Sequence, residues 1–201
     1  MLIPYAAPDL EGLPQDGTRS GRRNLAYIAG LLNFEREINQ LREIVRFDRM
    51  ALIVGKEVVE HLDAPERPVQ RASQHIGIHT DLVIADADAQ TALDAISDDV
   101  EAVYIGPLFK WSDGEIQKLV DGINERQLPS YAGAGVKWVE RGALATMETE
   151  EDDVRRMRRA ALFVQRILTG EPAGSLPCLL YTSPSPRDSY ADLVCRLLLE
   201  K

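Results

Sequence analysis

Residues 98–108 read D-D-V-E-A-V-Y-I-G-P-L. A polar approach gives way to a short apolar run at 102–105, and Gly106 and Pro107 end it. Four apolar residues closed by turn formers suit a strand buried on both faces. Ser112 follows as a helix cap, and Ile116, Leu119, Val120 and Ile123 fall on one helical face. R-Q-L-P-S-Y-A at 126–132 then carries the next strand, at 128–132. Strand, loop, helix and strand in this order specify a crossover between parallel neighbours.

The pattern extends in both directions. Upstream, 50–54 is an apolar run ending at Gly55, and 78–85 is another, with a short helix at 89–96. Between the first two lies a helical region that Pro65 and Pro68 are expected to interrupt and Gly77 to stop. Phe34, Ile38, Leu41, Ile44 and Val45 line one face of an earlier helix, for which Asn33 is a candidate cap. Residues 24–28 suit a short strand, while 1–23 are rich in Pro, Gly and charge and read as extended chain and loops. Downstream, 136–140 suits one helical turn and 143–147 is apolar. A long helix at 149–168 places Val154, Met157, Ala161, Val164 and Leu168 on one side. The fold class expected is α/β, an open parallel sheet with helices on both faces.

Composition narrows the function. The net charge is −9, and three cations offset three anions within 178–201, so the deficit belongs to the rest of the chain. An acidic surface excludes nucleic acid as a partner, since phosphates require a basic face. No apolar run approaches the ~20 residues that span a bilayer, so direct membrane insertion is not expected. Both cysteines, Cys178 and Cys195, lie near the end of the chain. The remainder has no thiol for disulfides, thiolate catalysis or cysteine-ligated zinc.

That end has its own reading. C-L-L-Y-T-S-P-S-P-R-D at 178–188 reads as a translated transposase-type sequencing adapter. D-L-V-C-R-L-L-L-E at 192–200 fits the next part of that adapter in the same frame. Residues 178–201 are therefore expected to be an artefactual tail outside the fold. The competing reading is an amphipathic tail that caps a core.

The order of several short segments resembles ABC-type substrate-binding proteins, the tryptophan/tyrosine-type family and its relatives. They are P-D-L-E-G-L-P, N-L-A-Y-I and F-E-R-E-I-N-Q-L-R-E-I-V, then V-Y-I-G-P-L, L-V-D-G-I-N-E-R-Q-L-P-S-Y, V-E-R-G-A-L-A and A-A-L-F-V-Q-R-I-L-T-G-E-P-A-G-S-L-P. The resemblance implies two α/β lobes that close on a small organic solute such as an amino-acid-like molecule, with no catalysis and no cofactor. It implies hinges near 21–28 and 142–147, a membrane permease as partner, and a periplasmic or other extracytoplasmic location. It also implies a periplasmic-binding-protein type I lobe at 24–147. Residues 1–23 would be a hinge segment from a largely missing first lobe, and 148–177 a helix returning to that lobe, so that its apolar face would lack its sheet and be exposed. Met1 is followed by L-I-P-Y-A-A-P-D, with no signal peptide, so the frame is expected to lack its own N-terminus. The alternative is a cytoplasmic doubly wound enzyme or regulatory domain.

Ligands of open parallel sheets bind outside the carboxyl ends of the strands. Here those ends are Gly55, Asp86, Gly106 to Leu108 and Ala132–Gly133. Gly106, Pro107 and Leu108 are the first candidates, because glycine lets backbone approach a ligand and proline stiffens a loop. A plain strand-to-helix turn explains them equally well. Tyr131 is a candidate for stacking on a ligand, Tyr27 for lining the passage between lobes, and Asn24 for a hydrogen bond across the hinge. Ordinary packing and turn closure compete with all three.

Other patterns carry less. Gly133 and Gly135 hint at a dinucleotide loop, but Trp138 occupies the third glycine position. His75 and His79 have helical metal-ligand spacing, yet Gly77 ends the helix between them and no third ligand is near. The acidic run from Glu148 through Asp153 suits a helix N-terminus, and Arg155, Arg156, Arg158 and Arg159 suit a solvated face. No nucleophile stands beside a base.

Overall fold

A computed structural model describes residues 1–6, 13–29, 34–60, 62–133, 135–147, 149–178 and 194–195. The proposed cap Asn33, Glu148, the side chains of 150–153 and most of the tail lie outside this description. The elements run β1 Leu2–Ala6, β2 Ala26–Ala29, α1 Phe34–Ile44, β3 Arg49–Gly55, α2 Lys56–Val59, α3 Glu66–Ile76, β4 His79–Ala85 and α4 Ala89–Asp94. They continue with β5 Ala102–Ile105, α5 Asp113–Glu125, β6 Ser130–Ala132, α6 Val136–Glu140, β7 Ala145–Thr146, α7 Glu150–Leu168, a 3₁₀ turn Ala173–Ser175 and β8 Val194–Cys195. Two compact units result: Met1–Leu32 with Thr149–Ala191, and Asn33–Glu148 with Asp192–Lys201.

The larger unit is a sheet in the order β4-β3-β5-β6-β7-β8. Its first five strands are parallel and β8 runs antiparallel to β7. Alternate residues of β3 serve opposite cores, as the pleat requires. Ala51 and Ile53 pack with Val103, Ile105, Leu93, Leu119, Val120 and Ile123. Met50, Leu52 and Val54 pack with Tyr104, Tyr131, Ile38, Leu41 and Val69. That double burial is why β3 is apolar along nearly its whole length.

The helical region is interrupted before Pro65, as expected, but helix α3 corrects the expected break at Pro68. Pro65 is its N-cap residue and Pro68 lies in its first turn, where an absent N–H removes no intrahelical bond. Gly77, at φ 69°, stops the helix as expected. Ser112 caps α5 through the Glu115 N–H (3.3 Å), and Asp88 does the same for α4 through Thr91 (2.6 Å).

Charge organises the amino edge of this sheet. The Glu101 carboxylate accepts the Asp48 and Arg49 N–H groups (2.7 and 3.1 Å) and ties the start of β3 to the start of β5. Arg49 donates twice to Asp81 (3.0 and 3.2 Å) and pairs with Asp99 (2.7 Å). The two backbone donors hold the Glu101 carboxyl below the usual glutamate range. A carboxyl depressed in the folded state stabilises above its unfolded pKa, and the contribution is lost as pH falls through the folded value. Stability is therefore expected to decline on acidification below about pH 4. Glu101→Gln should flatten that decline in denaturant midpoints measured against pH. An unchanged acid slope in the variant would rule the latch out.

The smaller unit is built on a parallel pair, with Leu2 opposite Ala26 and Ile3 opposite Tyr27. Residues 1–23 thus contain a strand, β1, where extended chain and loops were expected. Residues 24–29 sort with this unit, where β2 pairs with β1. Helix α7 covers one face of the pair through Phe163, which packs with Ala26, Ile28, Ala173 and Leu176, and Ala160 and Ile167 flank it. The stripe read from the sequence is open rather than packed, as the resemblance implied for a helix without its sheet. Val154, Met157, Val164 and Leu168 are 46–81% exposed. The 160/163/167 spacing wins because it carries the large aromatic ring.

On the other face Cys178 is buried with Leu25, Tyr27 and Ala29. Its N–H donates to the Thr18 carbonyl (2.6 Å) and its carbonyl accepts from Ala29 (2.7 Å). Cys178 thus packs in the smaller unit, and β8 adds two residues to the edge of β7. Free backbone groups beside Thr18, Ala29 and an open sheet edge accept whatever chain is at hand. Truncation after Cys178 is expected to cost less than about 1 kcal/mol, and truncation after Pro177 about 1–2 kcal/mol more, from two lost backbone hydrogen bonds and a buried side chain. Thermal melts of the two truncations test this; equal melting temperatures would exclude a role for Cys178.

Candidate ligand-binding rim

The carboxyl ends of the central strands lie side by side. The Gly106 N–H donates to the Ile53 carbonyl (2.8 Å), Gly55 to Pro107 (2.9 Å) and Gly133 to Ile105 (2.9 Å). These bonds carry the ladder past the strand ends and align Gly55, Gly106–Pro107 and Gly133 along one rim. β3 connects to β4 on one side, whereas β5 connects to β6 on the other. The order of chain connections reverses between β3 and β5, and a crevice opens at such a switch point.

The three first candidates divide. Gly106 is buried, and a Cβ there would sit 2.9 Å from Val54 Cγ1 and 3.1 Å from the Ile53 carbonyl. Close approach of β5 to β3 accounts for the glycine. Leu108 is 5% exposed and belongs to the core with Trp111. Pro107 is half-buried at the rim. Tyr131, expected to stack on a ligand, stacks on Tyr104 instead, with ring centroids 5.4 Å apart and planes inclined by 20°. Tyr27 is fully buried and donates its hydroxyl to the Pro14 carbonyl (3.1 Å). Asn24 is exposed, and its carbonyl accepts from the N-terminal amine of Met1 (2.7 Å). Tyr27 and Asn24 belong to the smaller unit and the rest to the larger.

The structure adds rim residues that the sequence reading passed over. Lys56 follows the end of β3 and pairs with Asp86 after β4, Nζ to Oδ2 2.8 Å. That hydrogen bond lowers the pKa of Asp86, with Lys110 adding to the effect. The Glu57 carboxylate accepts the Lys110 N–H (3.1 Å). Phe109, between Leu108 and Lys110, is 72% exposed. Beneath the rim, the buried Glu37 carboxylate of α1 accepts the Tyr104 hydroxyl, and that hydroxyl lies against Gly133. The Phe34 ring is 5.4 Å from that of Tyr104.

Other candidates fall elsewhere. His75 lies 3.3 Å from Glu35 and His79 3.0 Å from Asp81, each on its own carboxylate at the amino end of β4. A shallow groove beside them is lined by Glu66, Gln70, Gln74 and His79 among others. Gly135 opens only the five-residue α6, whose Trp138 is 7% exposed.

Neither a family model nor a curated protein matches the chain. Solved structures do. A conserved domain protein of Vibrio cholerae superposes with a TM-score of 0.65 at 22% identity, over 86% of this chain and 57% of that one. The parallel sheet with helices around it is an α/β fold like a periplasmic-binding-protein type I lobe. An ABC domain of Streptococcus pneumonia solved with L-Trp gives 0.62 at 13% identity, over 88% of this chain and 60% of its own. A substrate binding protein with adhesive properties from Clostridium difficile gives 0.57 at 14% identity, over 88% and 58%. A LacI family transcriptional regulator of Bifidobacterium animalis gives 0.55 at 10% identity, over 77% and 59%. The chain thus spans 57–60% of the length of these four structures. No described helix is long and apolar enough to cross a membrane.

Proposed function

We infer that the chain is a ligand-capturing component of an ABC-type import system, holding a small amino-acid-like solute at the carboxyl rim of its larger unit. The observation that carries this reading is the switch point between β3 and β5, where three adjacent strand ends place backbone and charged groups together. The likeness in fold to an ABC domain solved with L-Trp and to a substrate binding protein supports it. The working location is extracytoplasmic, and the partner beyond the solute is a membrane permease. The fold shared with a LacI regulator supports a second reading, a cytoplasmic sensor that uses the same rim.

Both readings require a solute. Amino acids at millimolar concentration are expected to raise the melting temperature of this chain, since a ligand at tenfold its Kd stabilises by about 1.4 kcal/mol. Affinity is expected to be weak, because one lobe supplies only part of a clamped site. A flat response to all amino acids and to their simple amine and acid analogues would end the solute-capture reading.

A further inference from the structure

Phe109 stands largely in solvent, at 72% exposure. Tyr104, Trp111, Tyr131 and Trp138 of the same unit are buried, and Phe34 is half-buried. It extends from the loop after β5, the central strand of the switch point, and not from a helix face that a neighbour would cover. Its position is fixed at both ends: the Pro107 carbonyl accepts from Gly55 (2.9 Å), and the Lys110 N–H donates to Glu57 (3.1 Å). A ring held in water on an anchored loop contributes nothing to the core of this unit.

The charges beside it are of both signs. Lys56 and Asp86 are 54% and 74% exposed and lie 2.8 Å apart. An exposed pair of this kind contributes little to stability, so opening it costs little. A solute with its own carboxylate and ammonium can replace each partner with the other's equivalent. The exchange conserves charge and sets orientation. Affinity must then come from the apolar part of the solute and the surface it covers.

We propose that Phe109 is the apolar anchor of the rim: its ring receives the hydrophobic group of a small zwitterionic solute whose charged head exchanges into the Lys56–Asp86 pair. This rests on the solute-capture reading and assigns the residue that selects among solutes. Four probes separate the parts. L-phenylalanine has all three groups, 3-phenylpropionate lacks the ammonium, 2-phenylethylamine lacks the carboxylate, and glycine lacks the apolar group.

The experiment is an amide-resolved NMR titration of the full chain to tens of millimolar. L-phenylalanine is expected to bind most tightly of the four. Phe109→Ala should weaken it about tenfold, a change of about 1.4 kcal/mol, and leave glycine unaffected. Phe109→Tyr should restore most of the loss, and melts of both variants should match the parent because the ring is outside the core. If L-phenylalanine binds at the rim with equal affinity in parent and Phe109→Ala, the anchor is wrong and solute capture stands. If none of the four perturbs the spectrum, both fall.

Discussion

Gly106→Val is expected to destabilise the larger unit by about 3 kcal/mol. The added Cβ would lie 3.1 Å from the Ile53 carbonyl, which is backbone and cannot rotate away, and 2.9 Å from Val54 Cγ1. Overpacking of this kind costs roughly 1–3 kcal/mol. Pushing β5 away from β3 also lengthens the 2.8 Å hydrogen bond from the Gly106 N–H to Ile53, worth about 1 kcal/mol net. Denaturant midpoints of the parent, Gly106→Ala and Gly106→Val should fall in that order. A valine variant as stable as the parent would mean that the two strands have room the structure denies them. The result also bears on function: lost binding in a bulky Gly106 variant would report a disturbed sheet, so Phe109 is the cleaner place to test the rim.

Tyr104→Phe is expected to cost about 2 kcal/mol, although it removes a single oxygen. That hydroxyl donates to the Glu37 carboxylate, and Glu37 is 3% exposed beside the Ile38 and Leu41 core. Hydrogen bonds to charged groups contribute roughly 1.5–3 kcal/mol, and a buried carboxylate that loses a donor recovers little from water. Glu37→Gln retains an acceptor oxygen for Tyr104 and should cost less, about 1 kcal/mol. Equilibrium unfolding of the two variants gives the order. A neutral Tyr104→Phe would show that other groups already satisfy Glu37.

The sheet was legible because its strands are short, apolar and closed by Gly or Pro, as at 50–55 and 102–107. Burial on both faces removes polar residues from such strands, and that leaves a mark in the sequence. Pro68 was misread because proline signals a break in a helix interior and a start in a first turn, and the residue type alone does not choose. The packed face of α7, centred on Phe163, was not read for a related reason. Aliphatic residues occur around much of that helix, so spacing identifies a stripe without saying which one meets a sheet. At the rim, strand ends could be located but not their neighbours. Lys56 and Asp86 are 30 residues apart, and Glu37 and Tyr104 are 67 apart. Such pairs exist only once the sheet order is known. Phe109 did leave a signal: an aromatic residue past the strand end and before the helix cap, in step with neither.

Amide chemical-shift mapping of the chain with L-phenylalanine addresses the central claim, that the carboxyl ends of β3, β5 and β6 form the ligand surface of the larger unit. The expected result is perturbation concentrated at the Gly55, Gly106 and Gly133 amides and in the Phe109–Trp111 loop. Perturbation confined to Glu66, Gln70, Gln74 and His79, in the groove along α3 and the edge strand β4, would place binding away from the rim and contradict it.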